Sequence, residues 1–562
     1  MSSNKNFLKN IWFLNYSGSF LKPDIIAGIT ASAVIIPKAI AYSVIAGLPL
    51  QMGLYTAFIP LLLYALIGSS RNLSVTTTTT IALLTATALA AVAGNNATEA
   101  EMLGYAITFT FLIGAVLFAA GILRLGFLAN FISLPVLTGF NAGIGVIIIV
   151  SQIPKLLGIH GGHDFIGNIS AIIQGLNDIH MPTLIISAAS FVLLFLLPKI
   201  FRNVPATLIV MVTAIIFSIF MKFDEINISL LGLIPSGIPE FKMPEFTNLS
   251  ELILPACGVA LMSFTETITA GRAFLKPGEK QPKANRELLA LGAANIGGSF
   301  FQSMPTGGGT SQTLVNTKAG AKTQMSSVVT VGMLALTVLF LSPYMSWIPN
   351  TVIAVILIEF SIGMIDIKSF KKILKVRSTE FVWTLIAFAG VVFVGTLKGI
   401  LLAILVSFFT ILYQSNKPSL YLLGRKKDTQ IFRPLHLHPK DETFEGLMIL
   451  RTEGRILFSN AEVAKTQIEE LYQANNPKIV LFDLSGVPDI EYTALDMLIT
   501  GEKKYRENGI EIWFCALNER VLEIFKSSGF FDTLKTDKLF FDVNTGVEKY
   551  ISMQSENKQI KT

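Results

Sequence analysis

The chain has 562 residues, 52% of them AVILMFWYC and only 15% Asp, Glu, Lys or Arg, with a mean hydropathy of +0.59. Soluble domains carry about 25% charge, so a string of soluble domains is excluded, as are disorder, a collagen repeat and a secreted disulfide scaffold. Residues 1–416 hold 24 Lys+Arg against 16 Asp+Glu, whereas residues 417–562 hold 20 against 22, so an apolar body of net +8 precedes a charged domain of net −2. This is the pattern of a polytopic membrane protein with a soluble tail. The overall +6 is no nucleic-acid footprint, because the basic residues sit in loops between apolar runs. Cys257 and Cys515 fall in an apolar segment and in the tail, which suits neither a disulfide nor a zinc set. The polar start and the length of the first apolar run argue against a cleavable signal peptide.

In chain order, runs long enough to approach the ~20 residues of a spanning helix fall near 24–46, 50–69, 74–93, 103–123, 132–153, 182–200 and 205–221. A second set lies near 252–271, 285–301, 306–320, 326–342, 349–365, 380–395 and 398–414. Fourteen spans place both termini on one side. Nineteen Lys and Arg then lie on that side, against Lys155, Lys222, Lys242 and Lys398 on the other. The bias makes both termini cytoplasmic. The resulting division is a cytoplasmic N-terminal segment 1–23, a first transmembrane repeat 24–222, a second repeat 251–416, a linker 417–445 and a soluble domain 446–555.

Two spans are interrupted, and both stand third in their set of seven. One opens Ser74-Val75-Thr76-Thr77-Thr78-Thr79-Thr80, a β-branched run that starts a helix poorly. The other opens Met304-Pro305-Thr306-Gly307-Gly308-Gly309-Thr310, where Pro and three Gly oppose regular helix. The first rises from the cytoplasm and the second descends, so both remaining half-helices begin near the midplane, facing each other. One such segment alone reads as close helix packing. Two at matched positions read as the site of an inverted-repeat transporter. Helix N-termini present unpaired N–H groups and about half a positive charge each, so the guest is expected to be a small anion. Its expected contacts are Thr76, Thr77, Thr78, Gly308, Gly309, Thr310, Ser311 and Gln312.

Two ionisable residues lie mid-span, in equivalent first and eighth positions: Lys38 and Glu266. Lys38 is read as a fixed positive charge for the anion. Glu266 is read as a proton- or sodium-coupling carboxylate or the counter-charge of Lys38. The bland readings are a snorkelling lysine and a structural ion pair. Tyr42, one turn beyond Lys38, is a candidate wall of the site, and Glu359 is placed at the membrane interface.

The first two spans, from Ile36-Pro37-Lys38-Ala39-Ile40-Ala41-Tyr42 to Gly68-Ser69-Ser70-Arg71-Asn72-Leu73-Ser74-Val75, resemble the signature of the sulfate permease (SulP) family of anion transporters. So do Glu287-Leu288-Leu289-Ala290-Leu291-Gly292-Ala293-Ala294-Asn295 and Gly320-Ala321-Lys322-Thr323-Gln324. The resemblance runs from about Asp24 to Ile551. It implies fourteen helices in a seven-plus-seven inverted repeat, a core of spans one to four and eight to eleven, a gate from the rest, elevator-like motion and a homodimer. Many members of the family have Gln where this chain has Lys38 and Arg where it has Gln312, so the positive charge is expected to have crossed the site. The usual Gly-Pro after Ser74-Val75 is replaced by threonines. Sulfate, bicarbonate and dicarboxylates all stay open as substrates.

In the tail, strands are expected at 447–450, 455–458, 478–484 and 510–516, and helices at 461–473, 493–508 and 519–527, an α/β layer domain. Asp483-Leu484-Ser485-Gly486-Val487 and Ile490-Glu491-Tyr492-Thr493-Ala494 resemble the core of a STAS domain. Tyr492 after Glu491 argues against a serine phospho-switch, though Thr493 is nearby. Asp483 and Asp489 read as solvated loop carboxylates. No P-loop or metal-spaced His cluster is present, so no cofactor and no enzymatic activity are expected. The leading expectation is a secondary active anion transporter of the cell inner (plasma) membrane, with the lipid bilayer, a small anion and a co-transported proton or sodium ion as partners. The alternatives are an uncoupled exchanger or channel of the same fold, and a membrane-anchored STAS signalling scaffold.

Overall fold

The computed structural model describes residues 12–93, 98–130, 133–162, 164–201, 205–232, 234–235, 237–246, 249–275, 278–416, 419–534 and 536–560. Lys5, Lys9, Arg202 and Lys276, used above in fixing orientation, lie outside them, as does the start of the expected linker.

The first half runs α1 (Leu21–Ala46), α2 (Leu50–Thr56), α3 (Ile59–Ile67), strand β1 (Val75–Thr76), α4 (Thr79–Ala93), α5 (Glu99–Ile122), α6 (Leu134–Leu157), a short α7 (Phe165–Gln174), α8 (Met181–Ile200) and α9 (Ala206–Met221). The second runs α10 (Leu249–Ala273), α11 (Ala284–Ser299), strand β2 (Gly307–Gly308), α12 (Thr310–Lys318), α13 (Met325–Leu336), α14 (Asn350–Ile362), a short α15 (Ile367–Val376), α16 (Ser378–Ala389) and α17 (Thr396–Ser415). Taking α2 and α3 as one broken span, seven segments follow seven, with a strand plus half-helix third in each. Among the described residues eight helices are long and apolar enough to cross a membrane, and Thr79–Ala93, Ala206–Met221, Ser378–Val394 and Leu405–Gln414 are shorter apolar helices.

Helix ends follow local chemistry. Gly47 closes α1 in the left-handed conformation, φ 65°, its N–H returning to the carbonyls of Ser43 and Val44. Thr98 and Glu101 form a capping box that opens α5.

The helices sort into two bundles. In one, α5 and α11 pack backbone to backbone, α13 and α12 lie on α1, and α10 lies against α4 and α5. A Cβ placed on Gly292 of α11 would stand 2.6 Å from the Phe118 nitrogen of α5. Without lipid-phase hydrophobic force to drive association, such small-residue contact is how membrane helices cohere. In the other bundle α6 packs on α14 and α16, and α8 on α9 and α14. There a Cβ on Gly139 of α6 would meet the Thr384 carbonyl oxygen at 2.0 Å. Between the bundles α1 meets α9 and α14.

Two carboxylates brace the first bundle. Glu287 is fully buried and accepts from the Tyr64 hydroxyl at 2.7 Å and from the Ser69 nitrogen at 2.8 Å. Asp24, equally buried, accepts from the Lys322 nitrogen at 2.7 Å and the Thr323 hydroxyl at 2.7 Å. Buried charge is tolerated only with such donors, which accounts for the motif residues around 287 and 322.

The tail is a separate compact unit built on a six-stranded sheet ordered β4-β3-β5-β6-β7-β8. Its strands are β3 (Ser419–Arg425), β4 (Phe432–Pro434), β5 (Leu447–Glu453), β6 (Ile479–Gly486), β7 (Glu511–Cys515) and β8 (Leu539–Phe540). Pairs β5–β6, β6–β7 and β7–β8 are parallel, and β3 pairs antiparallel with β4 and β5. Ile479-Val480-Leu481-Phe482 is apolar throughout because a parallel strand covered on both faces has no solvent side. The helices are α18 (Phe458–Asn475), α19 (Tyr492–Glu507), α20 (Glu519–Ser527), α21 (Phe530–Thr533) and α22 (Val543–Ile560).

Three expectations for the tail are corrected. The stretch 417–445, expected as a linker, carries β3 and β4 of the same sheet. The strand expected at 455–458 is a single bridge, Ile456 to Ile490, because helix α18 already begins at Phe458. Asp483 and Asp489 are not solvated: Asp483 is fully buried against Arg451 at 2.6 Å, and Asp489 pairs with Arg455 at 2.5 Å and Arg520 at 2.9 Å.

Candidate functional site

The threonine run and the glycine run meet as a two-stranded antiparallel ribbon, Val75 opposite Gly308 and Thr76 opposite Gly307. A further bond runs from the Gly309 nitrogen to the Ser74 carbonyl at 3.1 Å. Helix α4 begins three residues after β1 ends, and α12 two residues after β2 ends. Because the strands are antiparallel, the half-helices leave the ribbon in opposite directions and turn their N-termini toward it. At α12 the N-cap is Gly309, which supplies no side-chain cap. The leading N–H groups of α12 therefore keep their polarity for another acceptor.

Glycine is required here by contact. Helix α10 lies directly beneath the ribbon, where the Ser263 hydroxyl donates to the Thr306 carbonyl at 2.6 Å and the Thr267 hydroxyl accepts from the Gly308 nitrogen at 2.7 Å. A Cβ on Gly308 would stand 2.7 Å from the Thr267 Cα. From α11, Asn295 Oδ1 accepts from the Thr306 nitrogen at 2.8 Å.

The threonines divide the work. Thr76 accepts from Gln312 Nε2 at 2.7 Å, Thr77 donates to the Pro305 carbonyl at 2.6 Å, and Thr78 donates to the Glu266 carboxylate at 2.8 Å. Thr310 and Ser311 are exposed, whereas Gln312 is buried. The structure thus brings together Thr76, Thr77, Thr78, Glu266, Gly308, Gly309 and Gln312, with Thr310 and Ser311 at the open edge.

Lys38 and Tyr42 are buried one turn apart on α1. Tyr42 interacts electrostatically with both Glu266 and Glu359. Lys38 points toward α14: its Nζ is 4.3 Å from the centroid of Phe360, and it interacts electrostatically with Glu359. Glu359 is half-buried within the protein, and among the described residues its Oε2 is shielded from solvent without a hydrogen-bond partner. Ser263, Thr267 and Asn295 went unread in the sequence. The first two were signalled by hydroxyls four apart flanking Glu266.

The model of the sulfate permease family matches residues 21–387, and that of the STAS domain residues 438–545. A probable sulfate transporter of Mycobacterium tuberculosis is 29% identical over 96% of this chain and 97% of its own length. Sulfate transporter 1.2 of Arabidopsis thaliana is 30% identical over 96% of this chain and 86% of its own. Among solved structures, the murine Solute Carrier 26 family member A9 anion transporter in the inward-facing state superposes with a TM-score of 0.88 at 20% identity, covering 97% of this chain and 94% of that one. The transmembrane domain of a cyanobacterial bicarbonate transporter superposes with a TM-score of 0.60 at 23% identity over 70% and 98%. With its helical membrane body and its C-terminal sheet domain, the chain belongs to the sulfate permease family and ends in a STAS domain.

Proposed function

We propose that the protein is a secondary active transporter that carries a small anion of the sulfate, bicarbonate or dicarboxylate class across the plasma membrane. The observation that carries this reading is the antiparallel ribbon that turns the N-termini of α4 and α12 toward one point. Each terminus offers about half a positive charge, and hydroxyl and amide N–H groups lie around it as donors of the kind an oxyanion requires. A scaffold that merely anchors a STAS domain needs no paired helix breaks. The names of the relatives, sulfate and bicarbonate transporters among them, support the substrate class.

Movement follows an elevator scheme. The bundle of α1–α5 and α10–α13 carries the anion, and the bundle of α6, α8, α9, α14, α16 and α17 acts as the gate. Backbone-to-backbone glycine contacts hold each bundle rigid, while side chains of α1 line the boundary with α14, which suits sliding of one body past the other. Both termini are cytoplasmic by the distribution of basic loops, the working unit is a homodimer, and Glu266 is a coupling carboxylate for a proton or sodium ion.

The test is uptake by proteoliposomes of the full chain, using labelled sulfate, bicarbonate and fumarate under imposed proton or sodium gradients. Saturable uptake of at least one anion that falls on Thr78→Val is expected. Flux no greater than that of empty liposomes for all three anions overturns the proposal.

A further inference from the structure

We propose that Glu359 is a proton-binding site in the gate, and that its protonation frees Lys38 to engage the anion. The inference rests on the transport reading above. It adds a second carboxylate, in the body opposite to Glu266, with a different task.

The two residues interact electrostatically across the bundle boundary. Lys38 belongs to α1 in the moving bundle and Glu359 to α14 in the gate. Among the described residues Lys38 has no hydrogen bond or ion pair; its ammonium lies over the Phe360 ring at 4.3 Å, with the Glu359 charge near by. Among the described residues Glu359 Oε2 is buried without a donor. A shielded, unpartnered carboxylate oxygen is costly as an anion and far less so as a neutral acid. Glu266 is different, since it is already held by the Thr78 hydroxyl at 2.8 Å.

The groups around Glu359 leave the task to it. From α1 come Lys38 and Tyr42, and Glu266 of α10 reaches the same tyrosine. Of the other helices packed on α14, α6 carries Lys155, α8 carries Lys199 and α9 has no ionisable side chain. Neither of those lysines has an electrostatic interaction with Glu359.

Charge balance supplies the coupling. Lys38 and the two helix ends contribute about +2, and ionised Glu266 and Glu359 contribute −2, so the empty site is neutral and an arriving anion leaves it negative. A proton on Glu359 Oε2 removes one negative charge and with it the electrostatic pull of Glu359 on Lys38. The anion then takes Lys38, and the loaded bundle is released from the gate. On the far side the anion leaves and the carboxylic acid gives up its proton there; the emptied bundle then moves back and brings Lys38 again to the ionised Glu359. One proton thus travels the same way as each monovalent anion.

The test uses the full chain in proteoliposomes that enclose a pH-sensitive dye, with labelled sulfate, bicarbonate and fumarate as probes. Anion counterflow at equal pH is measured beside lumenal acidification driven by an inward anion gradient. The wild type is expected to acidify the lumen as anion enters. Glu359→Gln should abolish acidification while counterflow stays measurable, and Glu359→Asp, which keeps a titratable group, should restore it with a displaced pH profile. Glu266→Gln should leave a residual acidification. Acidification by Glu359→Gln equal to wild type overturns the inference, as does wild-type anion entry with no proton; both leave anion transport standing. Absence of counterflow for every probe in the wild type overturns the transport reading, and this inference with it.

Discussion

Gln312 Nε2 donates to the Thr76 hydroxyl at 2.7 Å, so a side chain in the first turn of α12 is tied to the strand that leads into α4, 236 residues earlier in the chain. The bond closes the ribbon on the side where the two helix ends meet.

Losing that bond should loosen the site without unfolding the protein. A neutral hydrogen bond contributes about 0.5–1.5 kcal/mol, which corresponds to roughly a two- to tenfold change in affinity. Gln312→Leu and Thr76→Val should each raise the half-saturating anion concentration by about that factor, and the double variant by no more than the worse single one. Additive losses in uptake assays would mean that the two side chains act apart.

If the cation has moved across the site, it can be moved back. Lys38→Gln should cost about 1.5–3 kcal/mol, the worth of a charge-assisted hydrogen bond, or roughly ten- to a hundredfold in anion affinity. Gln312→Arg placed in that background should recover most of the loss, measured by labelled-anion uptake. A double variant as inactive as Lys38→Gln alone would argue against exchange of the charge between the two positions.

The glycine contacts make a stability prediction. Gly292→Leu drives a side chain into the Phe118 backbone at a point where even a Cβ stands at 2.6 Å, and overpacking of this kind costs about 1–3 kcal/mol. The detergent-solubilised variant should melt several degrees lower, whereas Gly232→Ala, with open space around it, should suffer only from its left-handed backbone, φ 84°. Equal melting of wild type and Gly292→Leu would contradict the close approach of α5 and α11.

In the tail, the Arg455 hydrogen bond, reinforced by the charge of Arg520, holds the Asp489 carboxyl below its ordinary value. A carboxylate depressed in the folded state adds stability above its unfolded value near 3.9, and that stability is lost as pH falls through the lower folded value. The melting temperature of Asp489→Asn should therefore lie below wild type at neutral pH, with the gap closing under acid. A gap that stays constant from pH 7 to pH 3 would show that the pair contributes nothing through its charge.

Much of this was legible before any coordinates. Hydropathy located the spans, and the threonine and glycine runs marked where helix could not form, because β-branching, Pro and Gly act on the backbone within a few residues. The parallel strands at 479–486 and 511–515 announced themselves by the apolar runs Ile479–Phe482 and Ile512–Cys515. Strands β3 and β4 did not: lying at one end of the sheet, with half-exposed positions, they read as linker.

Local composition by itself determined that the chain lives in a membrane, how its spans divide and where two of them break. Tertiary packing alone decided the partners: Thr76 with Gln312, Thr78 with Glu266, and Lys38 with Phe360 and Glu359. The physical reason is range. Propensity and hydropathy are fixed by neighbours along the chain, whereas the direction in which a buried side chain points depends on which helix, hundreds of residues away, fills the space beside it.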